Sequence, residues 1–411
     1  MRRRALACHS AALLAALVML GGLPESAPAA AQDPPPAAAP ELAAPGAPRV
    51  PLPGPLGVPP GPWPAPPLPT AEAPAESAFF YHGRHYGSEA LVHPLRMIVN
   101  GSFGILQLDN RDNHLGRIDY RNGVENVWMN VRDPVTAIRA DGWRDFLLRE
   151  VLPIGSSVKD ARYWPNYTQH LIGGGMSYRM FAEWYQQHGL AHPRAWSAGT
   201  MAVYHALNEV VENDRFTGYT TDPVADLLIF DPGGMLLFNS DRVAGFFSHT
   251  LHMADWSYQP AYDPIHHTLE NNGQNFALKL GLPWSKRWSL FHHYGTHGEL
   301  GFSYTRPDGQ CLSFAAGLKA ANLIDLAPGT RTVDLVGTAG LFYDRDNSLL
   351  ASLLVAQTKD YSVRLNLYPG LLRMGLVTPS LFVALDRQRQ VLTGVSFGTR
   401  PKLPVGLGMS F

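Results

Sequence analysis

Cysteine is nearly missing from this chain: its 411 residues include only Cys8 and Cys311. A folded body that starts after residue 31 keeps Cys311 alone, so no intramolecular disulfide can brace it. Charge is also scarce, at 16% of residues, and Lys plus Arg number 33 against 34 Asp plus Glu. That balance leaves no basic footprint for nucleic acid, which is excluded as a partner. No helical segment offers eighteen uncharged apolar residues, so inner-membrane helices are excluded. Neither a Gly-x-Ser-x-Gly elbow, a Walker loop nor a Rossmann fingerprint occurs, which removes the commonest signatures of hydrolases and nucleotide binders.

Proline, by contrast, is abundant and uneven. Of 35 prolines, 17 fall between Pro34 and Pro74. Such a stretch lacks backbone donors and apolar mass, so residues 32–77 are expected to form a disordered, extended spacer. A docking role for Pro62-Trp63-Pro64 is the weaker reading of the same segment. Ahead of it, Arg2-Arg3-Arg4, the apolar run Ala11–Leu20 and Ala29-Ala30-Ala31 before Gln32 read as a cleavable signal peptide over residues 1–31. Cys8 precedes the apolar run, which argues against lipidation. Removal of residues 1–31 takes away three Arg and Glu25 and leaves 30 basic and 33 acidic residues.

From about Asn275 the chain alternates with period two, as strands do. Leu312, Phe314, Ala316 and Leu318 oppose Cys311, Ser313, Ala315 and Gly317. Val363, Leu365 and Leu367 oppose Arg364 and Asn366. Arg306-Pro307-Asp308-Gly309, Asp344-Arg345-Asp346-Asn347 and Asp386-Arg387-Gln388-Arg389 supply turns between the runs. Nine or ten such strands of eight to a dozen residues are expected over 248–411. In a soluble barrel the apolar face would be the core. In a membrane barrel it would meet lipid, with Leu365 and Leu367 outside and Arg364 and Asn366 in a lumen. Trp284, Trp288, Tyr294, Tyr304, Tyr343, Tyr361 and Tyr368 are candidates for an interfacial girdle or, equally, for ordinary cross-strand pairs.

The closing residues Val405, Leu407, Met409 and Phe411 point one way, and Gly406, Gly408 and Ser410 the other. This strand resembles the C-terminal strand of bacterial outer-membrane β-barrels. The resemblance implies a place in the cell outer membrane among its lipids, and contact between Phe411 and the barrel-insertion machinery. The fold expected is therefore α+β: an antiparallel up-and-down outer-membrane β-barrel of about 10–12 strands with an inserted helical block.

That block is expected over 140–247, after early strands and loops in 78–139 (Met97–Leu108, Gly123–Val131). One helix should run from Pro165 to Gln187, its Gly173-Gly174-Gly175 marking a close approach. A second starts after Pro193. A third opens at Asp222-Pro223 and breaks at Pro232-Gly233-Gly234. On the Pro193 helix, His205, Asn208, Glu209 and Glu212 form a polar stripe at i, i+3, i+4 and i+7. His170 and Asp226 belong to the neighbouring helices.

Histidine with two carboxylates can hold a general base or a divalent ion, so His170, Glu209 and Asp226 are candidate acid–base residues and His170, His205, Glu209 and Glu212 candidate metal ligands. The competing reading is a buried polar network that fixes helix register, with Asp226 capping its helix. The histidines at 249, 252, 266, 267, 292, 293 and 297, with Asp255 and Asp263 between, match no standard zinc spacing.

The segment Asp226-Leu227-Leu228-Ile229-Phe230-Asp231-Pro232-Gly233-Gly234, after a Glu-bearing helix, resembles an uncharacterised bacterial outer-membrane family in which helices precede a C-terminal barrel. The helices are also similar, less closely, to the His–Glu–Asp helices of VanZ-like and small periplasmic lipoprotein families. Neither resemblance implies an established activity. The expected role is that of an outer-membrane barrel protein with a structural, interaction or lipid-binding function. The alternative is an outer-membrane hydrolase or lipid-modifying enzyme that uses the His170, Glu209 and Asp226 set.

Overall fold

The structure, a computed structural model, describes residues 78–152, 165–327, 330–372, 378–398 and 403–411. The expected signal peptide and spacer lie outside the described residues. Helices fill the first half, and they begin earlier than the sequence pattern suggests. The runs at Met97–Leu108 and Gly123–Val131 are not strands. Pro94–Ser102 is an α-helix whose first turn holds Pro94 and whose Leu95 N–H is accepted by the His93 side chain. Its buried residues Arg96, Met97, Asn100 and Gly101 recur at helical, not strand, spacing. Tyr120–Arg132 is likewise capped, by Asp119 on the Asn122 N–H. Side-chain capping of both, and a first-turn Pro in the first, set these runs as helices.

The Pro165 and Pro193 helices stand where the pattern places them. Asn166–Gly174 is π-helical and runs straight into the α-helix Gly175–Gln187. Pro193–Glu212 is one α-helix of 20 residues. The third segment does not break at Pro232. Asp222–Ala225 (α), Asp226–Phe230 (π) and Asp231–Phe238 (α) follow without interruption. Pro232 lies directly after the π turn, where the winding changes and a Pro inside a continuous helix is accommodated. Gly175 and Gly234 explain the glycine clusters: a Cβ on Gly234 would lie 2.6 Å from the Leu171 carbonyl oxygen, and one on Gly175 2.6 Å from that of Gly234. The two helices cross backbone to backbone.

Among the described residues thirteen strands make one sheet. Three are short: β1 (Ala254–Asp255), β2 (Ala261–Asp263) and β3 (Thr268–Glu270). Ten form an up-and-down antiparallel meander: β4 (Phe276–Gly281), β5 (Trp288–Tyr294), β6 (His297–Thr305), β7 (Gln310–Ala327), β8 (Thr330–Arg345), β9 (Ser348–Ala356), β10 (Val363–Leu367), β11 (Pro379–Leu385), β12 (Val391–Phe397) and β13 (Leu403–Ser410). The spatial order is β1-β4 through β13-β2-β3, with β13 and β2 parallel. The sheet is not closed, so the architecture shown is α+β with one large, mostly antiparallel sheet. Strand lengths also depart from expectation: β4, β5 and β10–β12 have five to seven residues, while β7 and β8 have 18 and 16. The three anticipated turns all join neighbouring strands. At one of them Asp346 and Asn347 both take positive φ (51° and 65°), the backbone of a tight two-residue hairpin.

Register fixes which side chains share a face, because directly paired residues point the same way. One row runs unbroken across the meander: Leu280, Leu290, Phe302, Phe314, Leu341, Leu353, Leu365, Val383, Thr393 and Met409. Two residues to one side lies a second row that includes Leu300, Val355, Val363, Leu385 and Val391. To the other side is a third, from Trp288, Tyr304, Leu312 and Tyr343 to Leu407. These rows are largely exposed, with Leu312 at 60% and Leu341 at 57%.

The opposite face carries Ser303, Ser313, Ser352 and Asn366 in register, and all are buried. The polar side is thus inside and the apolar side outside. Lys279 bonds Asp344 there at 2.6 Å, and Lys319 bonds Asp360 at 3.2 Å. One apolar cluster on that inner face joins Leu91, Trp256 and Tyr258 to Ala277, Phe291, Ala315, Phe342, Leu354 and Ala384. A single cluster can draw residues from β4 through β11 only if the sheet curls around it. Tyr361 and Tyr368 belong to this cluster and Tyr294 is also buried, so these three do not form an outer girdle.

Candidate functional site

Three helical pieces bring the anticipated residues together. His170 sits on the π-helical Asn166–Gly174, Glu209 on Pro193–Glu212, and Asp226 opens the π-helical Asp226–Phe230. One ligand-capable atom from each of the three lies within 4.8 Å of those of the other two. A second such group, His170, His205 and Asp231, shares His170 with the first. Glu212 belongs to neither group. Its place in the expected ligand set is taken by Asp231, which the helical-stripe reasoning passed over.

The π winding explains that miss. The Asp231 N–H donates to the Asp226 carbonyl, an i→i+5 bond. In an α-helix five steps of about 100° would leave the two carboxylates about 140° apart. The wider turn returns Asp231 to nearly the face of Asp226, and the two bracket one imidazole. His170 Nδ1 bonds Asp231 Oδ1 at 2.9 Å, and His170 Nε2 stands 3.5 Å from Asp226 Oδ2. His205 Nδ1 approaches the same Asp231 oxygen at 3.1 Å. The backbone contact of Gly234 with Leu171 and His170 sets the depth at which Asp231 meets the ring. Asp231 was visible in the sequence as an acidic residue five places after Asp226, a spacing that means nothing without the π turn.

All five side chains are buried, Glu209 completely. Burial alone would strip the proton from His170, but Asp226 and Asp231 outweigh it and raise the group to about 10. Burial lowers His205 to about 4 against the pull of Asp231. Burial, with Asp226 and Asp222 adding to it, pushes the Glu209 carboxyl well up. Asp226 is also raised by burial, His170 opposing. Several atoms stay without a hydrogen bond: both His205 ring nitrogens, Glu209 Oε1, Asp226 Oδ1 and Asp231 Oδ2. The chemistry available is that of a dry, carboxylate-rich centre suited to holding a proton or a cation.

A further cluster lies on the inner face of the sheet. His293 Nδ1 is 2.9 Å from Glu299 Oε2 and 2.8 Å from His297 Nε2, while Thr338 donates to Glu299 Oε1. Lys319 lies close enough to act on His297, and Arg364 does too. His266 instead bonds Asp263 at 2.8 Å in a turn cap. Sequence spacing missed the 293–297–299 set because it spans two paired strands, β5 and β6. Comparison with protein-family models, curated proteins and solved structures gave no match for this chain.

Proposed function

We propose that this chain is an outer-membrane β-barrel protein, exported by its N-terminal signal, with a structural, interaction or lipid-binding role. The observation that carries the reading is the inverted polarity of the meander. An exposed ten-residue row with a single Thr, flanked by two more apolar rows, would cost dearly in water and is what acyl chains require. The buried face holds serines, Asn366 and two Lys–Asp pairs, the content of a filled polar lumen. Trp288, Tyr304 and Tyr343 share one outer row at one margin of the belt, the place for interfacial aromatics.

A belt three rows high is short for an average bilayer, and the thinner outer membrane reduces that mismatch. Phe411 is exposed, and its backbone exchanges hydrogen bonds with Val391, so the terminal strand is paired to its last residue while its ring stays free for the insertion machinery. The likeness of the Asp226–Gly234 segment to the uncharacterised outer-membrane family belongs to the same proposal. Fractionation tests it: the chain should sediment with outer membranes and migrate faster on gels before boiling than after. Recovery as a soluble periplasmic protein would end the reading.

The enzyme reading is favoured by one observation, the convergence of His170, Glu209 and Asp226. Their burial weighs against it, since catalysis needs a route for substrate. A register-fixing or ion-holding centre accounts for both facts.

A further inference from the structure

We propose that His170, Glu209 and Asp226 ligate one divalent transition-metal ion through His170 Nε2 and the two carboxylates, with Asp231 as the group that orients His170. The inference goes beyond the outer-membrane reading and does not depend on it.

Hydrogen bonding separates the two halves of the cluster. At His170 Nδ1 the space is closed by the 2.9 Å bond to Asp231, so no ion fits between them. At Nε2 the nearest carboxylate oxygen, Asp226 Oδ2, stands farther off at 3.5 Å, and Glu209 Oε1 and Asp226 Oδ1 are buried without partners. A tetrahedral ion with bonds of about 2.0–2.2 Å holds its ligand atoms about 3.4 Å apart, which matches that gap. Asp231 accepting from Nδ1–H directs the lone pair of Nε2 toward the ion, as carboxylates behind metal-bound histidines do. Asn213 Nδ2, 3.4 Å from Glu209 Oε2, steadies the second ligand in the same way.

Charge points the same way. Among the described residues Glu209, Asp226 and Asp231 form no ion pair with Lys or Arg; the neighbours that pair with them are imidazoles, His170 and His205, the latter with Nδ1 3.1 Å from Asp231 Oδ1. Three carboxylates in a dry space need a cation or protons. One imidazole with two carboxylates suits Zn²⁺ and its first-row neighbours better than Ca²⁺ or Mg²⁺.

The test uses the full chain refolded with and without Zn²⁺, dialysed, and assayed for bound metal, with circular dichroism as the check of folding. About one equivalent of Zn²⁺ should remain. Glu209→Gln and Asp226→Asn should each drop it below about a tenth, while Asp231→Asn keeps the stoichiometry and weakens affinity about 10–100-fold. Wild-type protein that folds without Zn²⁺ and retains none of it overturns the proposal, as does full binding by both ligand variants. Should these variants fail to fold, Co²⁺ in the wild type decides. One exchange-protected, hyperfine-shifted imidazole N–H, the His170 proton held by Asp231, supports the assignment; absence of such a signal refutes it.

Discussion

Leu365→Arg separates a membrane sheet from a soluble one more sharply than any change at the helical site. Leu365 lies at the centre of β10, paired with Leu353 and Val383, in the middle of the three apolar rows. It is 38% exposed, so in water an Arg there would project from the surface at a cost within about 0.5 kcal/mol. Against acyl chains near mid-membrane the same change should cost about 2–4 kcal/mol. Asn366 is the internal control. It is 0% exposed, and its side chain donates to Ser352 Oγ at 3.0 Å. Asn366→Ala strands that partner in either medium and should cost about 1–3 kcal/mol. The assay is urea unfolding from lipid vesicles followed by tryptophan fluorescence. A Leu365→Arg protein as stable as wild type in vesicles, beside a weakened Asn366→Ala, would refute the outward assignment of the apolar rows. An Arg at position 366, which an open lumen would accept, should instead be rejected, because Arg364, Trp256 and Tyr258 already fill the inner face.

Gly234→Ala should destabilise the helical block by about 1–3 kcal/mol, since its Cβ meets the Leu171 carbonyl rather than a yielding side chain; thermal melting reads this out. Asp344→Ala should cost about 3–5 kcal/mol by leaving Lys279 charged and buried, whereas replacing both partners with Leu and Met should cost much less, as urea titration can show. Glu89 is buried, which alone would raise its carboxyl, but His82 and Arg84 overcome this and hold it below the usual range. A depressed carboxyl stabilises the fold above the unfolded value of about 4.3 and loses that contribution as pH falls through the folded value. Stability measured below about pH 4 should therefore decline less steeply in Glu89→Gln than in wild type.

Much of the sheet was legible because strand alternation is strict and each apolar residue reports its face independently. Leu312, Phe314 and Leu318 lie outward, and Cys311, Ser313 and Ala315 inward, as the pattern required. The turns were legible because Asp, Asn and Gly tolerate the backbone they need. The first helices were not. At Met97–Leu108 the helix is set by two short signals just upstream, a His cap and a first-turn Pro, that tertiary contacts reinforce through Arg96 and Asn100 on the Ser257 and Tyr258 carbonyls. Nor could alternation reveal that the inner face holds an aromatic filling, since Trp256 and Leu91 come from outside the meander.

The helical centre shows where sequence periodicity stops carrying information. The stripe His205, Asn208, Glu209 and Glu212 follows from α-helical geometry, and His205 and Glu209 enter the ligand-capable groups. Glu212 lies outside those groups and acts on His170 and Glu209 through its charge, because the partner helices are wound differently. With i→i+5 bonding over Asp226–Phe230 each turn takes up more residues than in an α-helix, and Asp231 joins the set in place of Glu212. A π turn forgoes better hydrogen-bond geometry and persists only where something repays it. Here it places two carboxylates on opposite nitrogens of His170, one bonded and one held open at 3.5 Å. Asp231→Asn should therefore slacken the hold on His170 Nδ1 while leaving the apolar sheet rows untouched. Metal affinity and outer-membrane fractionation should separate in that variant, the first weakened about 10–100-fold and the second kept.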